Sequence, residues 1–145
     1  MGIEIERKFL VSGDGWKGGA SSSEEISQGF LSLDPARVVR VRLAGDRGFL
    51  TVKGKAEGIR RAEFEYAIPA EDARGLLAMC TGAIITKTRH LVGYGGHTWE
   101  IDEFGAENAG LVVAEVELGD EGESVELPPW AGEEVSDDPR YTSVR

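Results

Sequence analysis

Residues 2–11, GIEIERKFLV, are the stretch whose pattern decides the fold. Ile3, Ile5 and Phe9 fall on one side of a strict alternation, and Glu4, Glu6 and Lys8 fall on the other. Side chains on a strand point to opposite faces with a period of two, so this is a strand with one apolar and one charged face. Next-but-one residues on a strand stand about 7 Å apart. At that spacing Glu4 and Glu6 can grip a hard divalent cation from one side, and Lys8 beside them can meet an anion held by it. Taken alone, E-x-E-x-K is more readily a solvated strand edge.

Repetition changes that balance. Arg40 with Arg42, Lys53 with Lys55, Lys87 with Arg89, Glu100 with Asp102 and Glu115 with Glu117 share the i, i+2 spacing, and Arg61, Glu63 and Glu65 extend it to three. Apolar residues such as Val41, Phe64, Ile101 and Val116 lie between them. Acids and bases are therefore segregated strand by strand. A solubilising surface intersperses the signs, whereas a site for a metal-bound polyanion needs one acidic wall and one basic wall.

The 145 residues suit one domain spanning 1–145, long enough for a real core. Charged residues make up 29% and hydrophobic ones 41%, the balance of a folded rather than a disordered chain. No run approaches the ~18 apolar residues of a membrane helix, and no signal peptide opens the chain, so no membrane is expected. Met1-Gly2, with Glu6 behind it, does not match the myristoylation pattern. The one cysteine, Cys80, reads as a packing residue and fits a reducing cytoplasm. The net charge of −10 argues against nucleic acid as a partner. It would also repel an anionic substrate, unless carboxylates hold a metal and the substrate arrives as its metal complex.

After the first strand, residues 12–27 read as a long Gly- and Ser-rich loop carrying Trp16. Strands are expected over 28–33, 38–43, 49–55 and 59–68, with a hairpin loop at Gly45–Gly48. Pro69 ends the last of these and can open a helix over 70–80, where Ala73, Leu76, Leu77 and Cys80 recur at helical spacing and Gly82 follows as a C-cap. Residues 84–92, 98–104 and 111–118 read as three more strands, with turns at 93–97 and 105–110. An acidic, irregular tail follows. Eight strands and one helix imply a mainly antiparallel barrel. Its inside is left open by the residues alone: an apolar interior gives an ordinary packed barrel, and a charged interior gives a polar tunnel whose apolar outside must be covered. One short helix and the tail cannot cover eight strands, so the tunnel alternative predicts a homodimer or a docked C-terminal segment.

The motifs resemble the CYTH family, the triphosphate tunnel metalloenzymes. Beside Glu4, Glu6 and Lys8, the resemblance runs through Gln28-Gly29-Phe30-Leu31, Arg40-Val41-Arg42, Leu50-Thr51-Val52-Lys53-Gly54 and Glu63-Phe64-Glu65. It continues in Lys87-Thr88-Arg89, Trp99-Glu100-Ile101-Asp102-Glu103-Phe104, Ala114-Glu115-Val116-Glu117 and Asp138-Pro139-Arg140-Tyr141. It implies a mainly β (α+β) fold, an eight-stranded antiparallel tunnel with a charged interior, acting on a triphosphate with Mg2+ or Mn2+. By motif match Lys8, Arg40, Arg42, Lys53, Lys87, Arg89 and Arg140 would hold the triphosphate. Glu4, Glu6, Asp102, Glu115 and Glu117 would hold metals, with Glu63 and Glu65 extending the acidic wall. Arginine adds bidentate geometry toward phosphate, one metal can stabilise developing charge on the phosphates, and a second can activate the attacking water. Lys8, with the metal held by Glu4 and Glu6, is the expected catalytic group. The family pattern usually continues past the Arg-Tyr motif into a helical segment, and here only four residues follow Tyr141, which leaves an open tunnel as the expectation.

His90 and His97 are too isolated for a zinc site, Trp99 and Trp130 read as packing residues, and Glu121, Glu123, Glu126, Glu133 and Glu134 read as solvated charge. Gly54 and Gly58 make no phosphate loop, since no G-K-[ST] opens a helix. Hydrolysis of inorganic tripolyphosphate to pyrophosphate and phosphate is the leading expectation, because the chain shows no appended domain and no evident pocket for a base. Thiamine triphosphatase, nucleoside triphosphatase and class IV adenylyl cyclase are the alternatives within the family. A non-catalytic polyphosphate- or nucleotide-sensing module is the alternative outside enzymes.

Overall fold

The computed structural model describes residues 2–141. Nine strands form one antiparallel sheet: β1 (Ile3–Val11), β2 (Ala20–Ser32), β3 (Arg37–Ala44), β4 (Arg47–Gly54), β5 (Arg60–Ile68), β6 (Thr81–Tyr94), β7 (His97–Phe104), β8 (Val112–Glu117) and β9 (Ala131–Glu134), with helix α1 (Ala70–Leu77) between β5 and β6. Their order is β5-β4-β3-β2-β6-β7-β8-β1-β9, and a further β5–β1 pairing closes the first eight into a barrel.

β1 is the closing strand. Ile3, Glu4 and Ile5 pair with Ala62, Arg61 and Arg60 on one edge. On the other edge Glu6 to Leu10 pair with Glu117 to Val113 of β8. Beyond the point where β5 leaves, Phe9 and Val11 take β9 as a partner instead. The alternation of β1 is thus obeyed by three neighbours at once, which fixes its register, since a slip of one residue would exchange its two faces.

The inside–outside question is settled in favour of the charged interior. Phe9, Trp99, Ile101, Ala114 and Val116 lie on the outer face of β1, β7 and β8 and form one cluster with Trp16, Leu118 and Trp130. The core therefore sits against the outside of the barrel wall. Trp99 is fully buried, packed edge-on against Trp130 at 5.4 Å and tilted against Phe9 at 5.6 Å. The cover is supplied by the loop bearing Trp16 and by the docked C-terminal segment. Helix α1 covers part of β3 and β4. A Cβ on Gly48 would stand 2.8 Å from Ala73 Cβ and 2.9 Å from the Ile68 carbonyl oxygen, so the helix seats only on glycine there. Among the described residues nothing covers the outer face of β5, where Phe64 and Tyr66 are exposed, as is Ile3 of β1.

Local departures from the sequence-based expectations have physical causes. Residues 20–27 are strand, not loop: Ala20 to Ser27 pair with Val92 to Thr86 of β6, and Ser21 Oγ donates to the Leu91 carbonyl. Tertiary pairing there overrides a Ser-rich composition of weak strand preference. The helix ends at Leu77, and Gly82, although at φ +80°, lies within β6 and is not its cap. Cys80 lies just beyond the helix against Gly29, as a packing residue. The turn before β7 shrinks to Gly95-Gly96, both at positive φ, the requirement of a type I′ hairpin. The tail is less irregular than expected, since it supplies β9 and a 3-10 turn at Pro139–Tyr141. Met1 and residues 142–145, on which the myristoylation reading and the open-tunnel expectation bear, lie outside the described residues.

Candidate active site

The strand order turns segregation by strand into segregation by wall. β6, β2, β3 and β4 are consecutive around the barrel, and so are β5, β1, β8 and β7. The first group carries Lys87, Arg89, Arg40, Arg42 and Lys53 on its inner face; the second carries Glu63, Glu65, Glu4, Glu6, Glu115, Glu117, Glu100 and Asp102. The cavity between them measures about 570 Å³. Lys8 is the one basic strand residue of the acidic half that reaches the cavity. Among the described residues seven cationic side chains and eight carboxylates line it, Arg140 included, a formal balance of −1 in a chain of −10. A single divalent cation would make that balance positive, and the acidic exterior would no longer decide what the interior attracts.

Ion pairs tie the walls together. At one seam Lys53 Nζ lies 3.3 Å from Glu4 and 3.4 Å from Glu63, and Arg40 lies 3.6 Å from Glu65. At the other, Lys87 Nζ meets Asp102 at 2.7 Å, and Arg89 forks onto both oxygens of Asp102 at 2.8 and 2.9 Å while touching Glu100 and Glu115 at 3.2 Å each. Lys8 Nζ lies 3.4 Å from Glu115 and donates to the Tyr141 carbonyl at 2.6 Å.

Burial and neighbours push these groups apart. Burial pushes the Glu6 carboxyl well above its ordinary range, and Glu115 and Glu4 push it further. Burial and Glu4 raise Glu63 to about 6. Burial would raise Glu115 too, but Lys8, Arg89 and Lys87 outweigh it and hold that carboxylate well below its usual range. Burial opposes the charge on Lys8, yet Glu115 and Glu6 raise its pKa overall. Burial lowers Lys87 to about 8 against the pull of Asp102, and burial with Arg40 and Arg89 lowers Arg42 to about 10.

The donor set fits a hard divalent cation. Side-chain hydrogen bonds join Glu6 to Glu115 and Glu4 to Glu63. Two carboxyl groups can meet in that way only by sharing a proton, whose place a divalent cation can take. Among the described residues no three carboxylates converge as ready-made ligands. A Mg2+-like ion needs only one or two, the rest of its shell coming from water and phosphate oxygens.

Every residue singled out as a triphosphate or metal ligand lines the cavity, but not all equally. Asp102 and Glu65 are engaged with cations of the basic wall, as are Glu4, Glu63 and Glu115, whereas Glu6 and Glu117 have no such ion pair among the described residues. Arg140 stands exposed at the rim, paired with Asp138 at 2.7 Å. Lys55, one of the i, i+2 bases, lies beyond β4 and outside the cavity, and Arg61 is turned onto the Gly54 carbonyl. Besides Tyr141, three polar residues of the lining fall outside the expected ligand set: Glu100, Gln28 and Asn108. Glu100 carried the signal, two residues before Asp102. Gln28 sits between Ile26 and Phe30 on its strand face, and Asn108 lies in a turn, so neither had a periodic signal. One end of the lining is apolar, where Ile85 and Phe104 join Phe30 and Val38. Of the five solvated glutamates, Glu134 pairs with Arg7 at 2.7 Å and Glu123 with His97 at 2.5 Å. His90 meets Glu103 and packs on Trp16.

A closed barrel that sets an acidic wall against a basic one is a container for a polyanion together with its cation. The chain belongs to the CYTH family, whose domain model matches residues 2–142. It is 48% identical to a protein of Acetivibrio thermocellus named inorganic triphosphatase, over 97% of this chain and 90% of the relative. A protein of the same name from Nitrosomonas europaea is 33% identical, over 95% and 92%. A crystal structure of an inorganic triphosphatase superposes with a TM-score of 0.69 at 31% identity, over 96% of this chain and 90% of that one. A Pyrococcus horikoshii protein, at 22% identity and a TM-score of 0.62 over 81% and 80%, shares the fold. No helix is long and apolar enough to cross a membrane among the described residues.

Proposed function

We propose that this protein is a divalent-cation-dependent hydrolase that splits inorganic tripolyphosphate with one water into pyrophosphate and phosphate. The observation that carries the reading is the two-walled cavity, near neutral inside a strongly acidic chain. Relatives of near-equal length named inorganic triphosphatase support it.

Lys8, Arg40, Arg42, Lys53, Lys87 and Arg89 receive the phosphate oxygens, with Arg140 at the rim. Glu4, Glu6, Asp102, Glu115 and Glu117 face them and would hold Mg2+ or Mn2+, with Glu63 and Glu65 extending the acidic wall. The cation, when bound, supplies Lewis-acid stabilisation of the phosphate oxygens. Lys8 is held protonated by Glu115 and Glu6, so its part is to draw in and orient a phosphate rather than to take a proton from water. The surplus of desolvated carboxylates, relieved by the cation, keeps the acidic wall from repelling the substrate. A homodimer would form on the outer face of β5, where Phe64 and Tyr66 are exposed.

A second reading, hydrolysis of an organic triphosphate, is favoured by the apolar end of the lining, where Ile85, Phe104, Leu111 and Val113 offer a surface for an apolar substituent. Phosphorus NMR of tripolyphosphate incubated with the protein and Mg2+ tests the first reading. Pyrophosphate and phosphate should appear in equal amounts. A tripolyphosphate spectrum unchanged beside enzyme that consumes ATP would replace it with the second.

A further inference from the structure

Among the described residues, six of the seven cationic side chains lining the cavity have a carboxylate within 4 Å. Arg42 has none. Its guanidinium is held instead by an amide: Gln28 Oε1 accepts from Arg42 Nε at 3.1 Å and from a terminal nitrogen at 2.9 Å. The two residues face each other directly across the β2–β3 pair, and Gln28 is buried at 3% exposure. Arginine offers only donors, so the carbonyl end of the amide must be the end facing it. That leaves the amide nitrogen, with two N–H groups and no protein acceptor among the described hydrogen bonds, in the cavity lining.

We infer that Gln28 is a positioning residue for substrate binding: it fixes the Arg42 guanidinium in the geometry for a phosphate without neutralising it. The inference rests on the reading of the cavity as a triphosphate site. A carboxylate in the same place would hold the guanidinium as firmly but would cancel its charge, and an incoming phosphate would have to displace it. An apolar side chain would leave Arg42 free to swing. A neutral acceptor with spare donors avoids both, and among the described residues it is the only arrangement of this kind in the lining. Arg42 is thus the cation that meets the polyanion without first breaking an ion pair, while the amide N–H groups add neutral donors beside it.

The test compares wild type, Gln28→Glu, Gln28→Met and Arg42→Lys. Calorimetric binding of sodium tripolyphosphate and phosphate release are measured in parallel, with thermal unfolding to confirm that each variant folds. Gln28→Met should weaken binding by about tenfold, the equivalent of one lost charge-assisted hydrogen bond. Gln28→Glu should weaken it by about 100-fold, mostly in KM. That deficit should shrink as pH falls toward 5 and the introduced carboxyl takes up a proton, a recovery that a merely structural role would not show. Gln28→Glu that binds as wild type does, or a deficit independent of pH, overturns the inference even if turnover is normal. Absence of turnover in wild type overturns the hydrolase reading, while the inference stands if binding persists and follows the same order among the variants.

Discussion

Lys8 and Glu115 face each other directly across the β1–β8 pair, with Nζ 3.4 Å from Oε2, and each shifts the other toward its charged form. The pair places a cation firmly inside the acidic wall and keeps Glu115 the charged partner in its hydrogen bond with Glu6. Removing either partner leaves a buried charge without its complement. Lys8→Met should lower kcat/KM for tripolyphosphate by on the order of 100-fold, with far-UV circular dichroism unchanged. Near-normal kcat/KM in that variant would remove Lys8 from the site.

Glu4→Gln and Glu117→Gln should abolish cation-dependent turnover without unfolding the protein, because both carboxylates line the cavity and neither supports the outer core. Phosphate release as a function of Mn2+ concentration measures this. Wild-type activity in either variant would move the cation elsewhere.

The raised carboxyls make stability depend on pH in a direction opposite to the usual one. Glu63 moves from an ordinary 4.5 to about 6, and burial beside Glu115 and Glu4 also raises Glu6 well above its ordinary value. A carboxyl with a raised folded-state pKa stabilises the fold below its unfolded value, and that stability is lost as pH rises through the folded value. In EDTA the melting temperature should therefore fall between pH 4.5 and above 6, apart from the acid loss caused by Asp102 and Glu115, whose lowered values act at the low end. Mg2+ or Mn2+ should raise the melting temperature more at pH 7.5 than at pH 5. An equal increment at both would mean that the carboxyls and the cation do not compete for the same place.

The strands were legible because their alternation is strict. Glu4, Glu6 and Lys8, or Glu115 and Glu117, announce both the element and its charged face. Which face pointed inward was not, because Phe9 and Trp99 pack as well against a covering tail as in an interior. Nor could alternation supply the strand order. That β2 lies between β3 and β6, and β1 between β5 and β8, depends on pairing across long separations, and this order turns paired charges into two walls. Gln28 carries no ligand signal in the sequence, because a single amide between Ile26 and Phe30 has no periodicity of its own. Residues 20–27 do not read as a strand in the sequence because serine is weak evidence for one until β6 lies beside it.

The outer core should carry most of the stability. Trp99→Ala, which empties a fully buried site beside Phe9 and Trp130, should cost about 3–5 kcal/mol. Gly48→Ala should cost about 1–3 kcal/mol by forcing α1 off β4. Urea unfolding of both variants gives the values. A loss below about 1 kcal/mol for Trp99→Ala would mean that the docked tail does not form the cover described above.

Phosphate release from tripolyphosphate and from ATP, side by side in Mg2+, Mn2+ or EDTA, is the most direct measurement. Release from tripolyphosphate that is fast with either cation, absent in EDTA and much slower from ATP is the expected result. No release from either compound in the presence of both cations, with tripolyphosphate still bound, would contradict a hydrolase and leave a sensing module.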